Sequence, residues 1–178
     1  MATLVKSFAI SGIEAYTVDI EVKTIEGQPM TSIIGLGDKA VQEAADRITS
    51  AIDELGFVFP KKKVIISLAP SYQKKSGSHF DLAMAIGLMM NEEYLVSKVN
   101  MRDLGMIGEL ALDGHLRPCR GILPMIIAAQ KDGCRRVIVP AQNVHEAQLV
   151  KGIEVMGFIH IQDVIRYLEG KPVNNTFT

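Results

Sequence analysis

With 178 residues, 48% of them hydrophobic and 22% charged, the chain has apolar material for one sizeable core, and its composition excludes a disordered or fibrous protein. A net charge of −1 gives no global attraction to nucleic acid, so any phosphate contact must come from local clusters of cations. The longest apolar runs, 82–90 and 122–129, fall short of the roughly 20 residues that cross a bilayer, and Glu14 and Asp19 interrupt any leader-like start; a soluble, cytoplasmic protein without a membrane partner is expected.

Leu4 to Ile10 reads as a strand that turns at Ser11-Gly12 into a second one, 16–23, where Tyr16, Val18, Ile20 and Val22 alternate with Thr17, Asp19, Glu21 and Lys23. After Glu26-Gly27, a short strand at 32–35 is predicted to complete an antiparallel opening sheet. Asp38 is the expected cap of a helix in which Val41, Ala44, Ala45, Ile48, Ile52 and Leu55 recur at helical spacing up to Gly56. Lys63 to Ala69 has the β-branched run of an interior strand. Ser78 with Asp81 resembles a capping pair for an apolar helix reaching about Met90.

Residues 106–112 and 115–117 flank Asp113-Gly114, whose preference for positive φ predicts a type I′ hairpin. Gly121 precedes a helix over 122–131 that tolerates Pro124 in its first turn. A buried strand at 136–139, a short helix capped by Asn143 with Glu146, a strand at 153–158 and a helix at 162–169 closed by Gly170 complete the pattern. Strands cluster first and then mix with helices, which points to an α+β class. Residues 1–170 read as one domain, and the polar stretch 171–178 as a linker or frayed tail.

The segment Val64 to Asp81, VIISLAPSYQKKSGSHFD, is where chemistry would sit. Its neighbourhood carries Lys61, Lys62, Lys63, Lys74 and Lys75 with Tyr72 between them and no acid from Pro60 to Phe80. Such cations neutralise phosphates and a tyrosine stacks on an exposed base, so these residues, with Arg117 and Arg120 as a second tier, are candidate nucleic-acid contacts. The opposing reading is a solvated, charged strand edge that blocks unwanted sheet pairing.

Other chemistries have thinner support. The turn IIGLGDKA brings Gly35 and Gly37 to a helix start, but the chain has no GxxxxGK[ST] loop and no third glycine of a dinucleotide fingerprint. His79, Asp81, Asp113, His115, His145 and His160 have no metal-ligand spacing, and Cys119 and Cys134 form no CxxC, so neither metal nor disulfide is expected. Ser76 or Ser78 beside Lys74 and Lys75 would make a nucleophile only if burial depressed a lysine pKa; a helix cap is the simpler role for Ser78.

Taken together, ISGIEAYTVDIEV, IIGLGDKAVQEAADRITSAIDELGFVFP, ISLAPSYQKKSGSHFDLAMAIG, GELALDGHLRPCRGILPMIIAA and RVIVPAQNVHEAQLV resemble the N-terminal domain of the magnesium-chelatase-like AAA+ ATPases, the ComM/YifB family. The resemblance spans nearly residues 1–170. It extends to the Lon protease domain and implies that domain's fold, a mixed sheet with helices mainly on one face. In Lon-type proteases a loop serine works with a lysine on the helix after the next hairpin; the corresponding positions here are His79, with Ser78 adjacent, and Leu123. The resemblance therefore implies a Lon-like fold without its dyad, and no catalytic residue or cofactor in this chain. ATP and Mg would belong to an ATPase module elsewhere in the parent protein, implicated in DNA branch migration during natural transformation. The implied partners are that module, toward which 171–178 would lead, neighbouring subunits, and DNA. A residual serine hydrolase and a pure protein-interaction scaffold are the alternatives.

Overall fold

In the computed structural model, which describes residues 2–173 and 176–177, the alternation around 16–23 folds as β2 (Glu14–Ile25), whose residues 14–22 pair antiparallel with the whole of β1 (Thr3–Ser11). Val18, Ile20 and Val22 are fully buried, while Glu21 and Lys23 face solvent. The third strand departs from expectation. β3 (Met30–Ile34) does not continue the antiparallel opening; β4 (Lys63–Ala69) inserts between it and β2, antiparallel to β2 and parallel to β3. The helix α1 (Asp38–Glu54) makes this possible, since a parallel neighbour needs a crossover.

After β4 come α2 (Asp81–Asn91), β5 (Leu104–Met106), a small hairpin of β6 (Glu109–Leu110) and β7 (Leu116–Arg117), α3 (Ile122–Lys131), β8 (Arg136–Pro140), α4 (Val144–Ala147), β9 (Glu154–Phe158) and α5 (Ile161–Leu168). Thr176–Phe177 forms β10, antiparallel to β9, so part of the expected tail joins the sheet; 174–175 and 178 lie outside the described residues. The main sheet runs β10-β9-β8-β5-β1-β2-β4-β3, with only β2 and β10 opposed to the other six strands. The result is an α+β fold with a mixed, mostly parallel sheet.

Strand alternation divides the core in two. Val5 and Ala9 of β1 face a large cluster with α1, α2 and α5, whereas Phe8 faces a smaller one with α3 and α4. Three helices thus lie on one face and two on the other. At the crossing of β1 and β5, a Cβ on Gly105 would come within 2.6 Å of the buried Phe8 ring. Helix α2 is buried at every position from Asp81 to Met89, which explains its all-round apolar sequence.

Helix ends follow backbone chemistry more than the expected side-chain caps. Gly37, not Asp38, is the N-cap of α1, and Phe80, not Ser78, that of α2; Asn143 does hold the N-cap position of α4, but its side chain makes no capping bond there. At the other end, α1 closes with Gly56 at φ +88°, the Gly56 amide on Asp53 O at 2.9 Å and the Phe57 amide on Ile52 O at 3.2 Å, a Schellman motif. Helix α2 closes in the same way on Met90 and Met89, but with Glu93 at φ 60°. The turn at Asp113-Gly114 is not type I′, since only Gly114 has positive φ; the Gly114 amide meets Ala111 O and the Ala111 amide meets His115 O, a three-residue loop.

A buried ion pair locks α1, α2 and the β6 hairpin together. Arg47 of α1 reaches Asp81 with Nε–Oδ2 at 2.6 Å and Nη2–Oδ1 at 3.0 Å, and the Leu110 amide donates to Asp81 Oδ2 at 3.1 Å. Replacing Asp81 by alanine strands a half-buried guanidinium and an amide, so a loss of about 3–5 kcal/mol is expected in denaturant unfolding. Glu93→Gly relieves a left-handed backbone on an L residue and is expected to raise stability by about 0.5–1 kcal/mol, read as a higher denaturant midpoint at unchanged slope.

Candidate functional site

Six strands point the same way and end at one edge of the sheet. In open parallel α/β sheets ligands are met at the carboxyl ends of the strands, and the six like-directed strands here share such an edge. The loop after β4, which carries Tyr72, Lys74, Ser76 and Ser78, leaves from this edge. The 117–121 loop comes to it from the side: Ile10, at the end of β1, shares a cleft of ≈ 400 Å³ with Ser76, Gly77, Ser78, His79, Glu109, Pro118, Cys119 and Arg120. A second hollow on the far side of Gly77 and Ser78 is lined by Lys39, Ala40, Glu43 and Arg47.

The lysines clustered in sequence are not clustered in space. Lys61, Lys62 and Lys63 stand where β4 begins and Tyr72 and Lys74 where it has ended, about 20 Å apart for a strand of this length. Lys62 also lies 3.9 Å from Glu92. Lys75 is only 4% exposed, which removes it from the candidate phosphate contacts. Its ammonium donates to Gln73 O at 2.6 Å and to Pro70 O, and burial lowers its pKa. With its amide on Gly35 O at 2.7 Å, Lys75 ties down the loop that holds Tyr72 out at 85% exposure.

Arg117 and Arg120 are exposed at the carboxyl edge, but Arg117 Nε lies 3.6 Å from Glu109 Oε2. Of the eight residues singled out by sequence, the edge therefore brings together Tyr72, Lys74, Arg117 and Arg120, with Lys74 and Arg120 forming no ion pair among the described residues. The glycines of IIGLGDKA serve packing: a Cβ at Gly35, φ +105°, would sit 2.8 Å from Leu68 O, so this turn fits against β4 rather than cradling a phosphate.

At the cleft floor, Ser78 Oγ donates to Glu109 Oε1 instead of capping α2. His79 is buried with Nε2 2.7 Å from Phe8 O; a carbonyl only accepts, so Nε2 carries the proton, and burial lowers the ring's pKa and keeps it neutral. Leu123 falls in the first turn of α3. Asp81 lies beneath, where burial pushes its carboxyl up to about 6 against the pull of Arg47 and the Leu110 amide; at pH 7 it is ionised and paired. Both cysteines are free, and burial raises Cys119 to about 11, which makes it a poor nucleophile.

Asn143, expected as a helix cap, instead clamps the 117–121 loop: its Oδ1 accepts from the Cys119 amide at 2.9 Å and its Nδ2 donates to Cys119 O at 3.1 Å. Arg47, Glu109 and Asn143 were missed by sequence reasoning because each acts on a residue more than twenty positions away, and no local spacing announces such a pair. Around the hairpin turn, His115 Nδ1 lies 3.0 Å from Asp113, and His160 bridges Asp113 O and the Gln162 amide, capping α5. Among the described residues, no three His, Cys, Asp or Glu side chains gather as a metal site, and no helix is long and apolar enough to cross a membrane.

Residues 20–143 match the family model for subunit ChlI of Mg-chelatase. The competence protein ComM of Haemophilus influenzae is 37% identical over 168 residues, covering 94% of this chain and 33% of that protein. The uncharacterized protein YifB of Escherichia coli is 36% identical over 169 residues, covering 95% and 33%. Lon protease 3 of Sorangium cellulosum is 27% identical over 175 residues, covering 92% and 21%, in keeping with a Lon-like sheet. The chain thus spans about a third of the length of its ComM and YifB relatives, and with its matched region covering most of the fold, including α1, α2 and all of the cleft but Ile10, it belongs to the magnesium-chelatase ChlI family, alongside ComM and YifB.

Proposed function

We propose that this chain is a non-catalytic accessory domain of a larger AAA+ ATPase, and that it docks onto the parent's ATPase module or a neighbouring subunit through the carboxyl edge of its sheet. ATP and Mg are assigned to that module, since this chain has no P-loop sequence. The observation that carries the reading is Tyr72, an aromatic residue held 85% exposed by the buried Lys75 at an edge that also presents Ile13, 93% exposed, and Arg120. Tyrosine and arginine over exposed apolar surface are the composition of an interaction hot spot.

The cleft supports the non-catalytic part. Ser78 gives its hydroxyl proton to Glu109 and to no ring nitrogen or amine: His79 donates from Nε2 to Phe8 O and its Nδ1 makes no hydrogen bond to Ser78, Lys75 is committed to Pro70 and Gln73, and Glu109 is itself ion-paired with Arg117. A fluorophosphonate probe is expected to leave the folded chain unlabelled. Labelling that disappears in Ser78→Ala would establish the serine hydrolase instead.

DNA contact is a second reading, favoured by Tyr72, Lys74 and Arg120 on one edge. Two free cations give only a shallow salt dependence for single-stranded DNA, with a log–log slope of about −1.4. In the full-length parent, Tyr72→Ala with Arg120→Glu is expected to weaken assembly about tenfold, measured by sedimentation and ATPase activity. Unchanged assembly with lost, salt-sensitive anisotropy on single-stranded DNA would make this edge a DNA site, and no change in either would overturn both readings.

A further inference from the structure

Strand β3 closes the main sheet on one side, and its outer edge carries backbone groups with no neighbouring strand among the described residues. Proteins protect such edges with charge, proline or bulges. Even the interior strands β1, β2 and β4 carry charge, with Lys6, Asp19, Glu21, Lys23 and Lys63 along them. β3 does not. From Gly27 to Gly37 there is no charged residue, and Pro29 lies before the strand rather than in it. Met30 and Ile34 remain 54% and 46% exposed, although both are apolar.

The five residues are also complementary to themselves. Met30, Ser32 and Ile34 share one face, and Thr31 and Ile33 the other. If two copies meet antiparallel about Ser32, Met30 of one stands opposite Ile34 of the other, Thr31 opposite Ile33, and Ser32 opposite its twin. A two-residue slip would set Met30 opposite Ser32 and lose the apolar pairing. The nearest acids, Glu26 and Asp38, lie beyond both ends of the strand, so no like charges face each other within it.

We propose that β3 is a self-association edge, through which two copies of this chain join antiparallel about Ser32 into one continuous sheet. This contact is separate from the carboxyl edge and does not depend on its partner. Five residues a side make a small interface, so association in the micromolar range or weaker is expected. Sedimentation of the 178-residue chain over a concentration series should show a monomer–dimer equilibrium, weakened at least about tenfold by Ser32→Lys, which places two ammonium groups opposite each other. In a Cys119→Ser, Cys134→Ser background, Ser32→Cys should form an intermolecular disulfide under mild oxidation, whereas Thr49→Cys, on the exposed face of α1, should not. An unchanged unfolding midpoint in Ser32→Lys shows that folding is intact. A chain that stays monomeric throughout, a dimer indifferent to Ser32→Lys, or a monomer that instead takes up an extended peptide along β3 would each overturn the proposal.

Discussion

The ion pair between Arg47 and Asp81 is the interaction on which the geometry of the carboxyl edge depends. An aspartate with no exposed side-chain surface at the start of an otherwise apolar helix is costly unless every lone pair is answered. Here the answers come from two elements other than its own: a bidentate guanidinium from α1 and the amide of Leu110 from the β6 hairpin. Because a charge-assisted fork is directional, it fixes the distance and the rotation of α1 and the hairpin relative to α2. Glu109, one residue before Leu110, is thereby brought to Ser78, and Gly77 with Ser78 becomes the ridge between two hollows.

Around this anchor the edge is built from loops that are held rather than free. Lys75 uses its ammonium on carbonyls of its own loop, and Asn143 grips both backbone groups of Cys119. Buried polar side chains spent in this way give a loop one conformation, at the cost of the side chain's availability for anything else. That is why a lysine that looks like a phosphate ligand in sequence becomes a structural tie, and why the side chains left exposed at this edge are those on the tied loops, Tyr72 and Arg120. The same economy applies to the serine. In a fold that resembles Lon proteases, the position of the loop serine is taken by His79, and the hydroxyl beside it, Ser78, is bonded to the side chain of Glu109.

The two ends of the sheet contrast in how they meet solvent. The carboxyl edge presents side chains on ordered loops; β3 presents backbone along a neutral strand. Side-chain surfaces select partners by shape and charge, while a bare strand offers hydrogen bonds to any chain of matching register. The two contacts proposed above would therefore use separate surfaces and would not compete.

Local patterns were legible in the sequence wherever a single element decides its own residues. The alternation of β2, the helical spacing of Val41, Ala44, Ile48 and Ile52 in α1 and the glycines that end α1 and α5 all hold, because periodicity and positive φ are set within a few residues. The family was legible for a related reason: several long motifs in fixed order carry far more information than any one site. Tertiary structure alone decided the rest. It placed β4 between β2 and β3, since a crossover of helix α1 can return a strand to either side. It separated Lys61 to Lys63 from Tyr72 and Lys74 by the length of β4, buried Lys75, and joined Arg47 to Asp81 and Ser78 to Glu109. Sequence proximity measures distance along the chain, whereas charge and hydrogen bonding act across space, and a strand that extends the chain by about 3.3 Å per residue pulls apart what the sequence sets side by side.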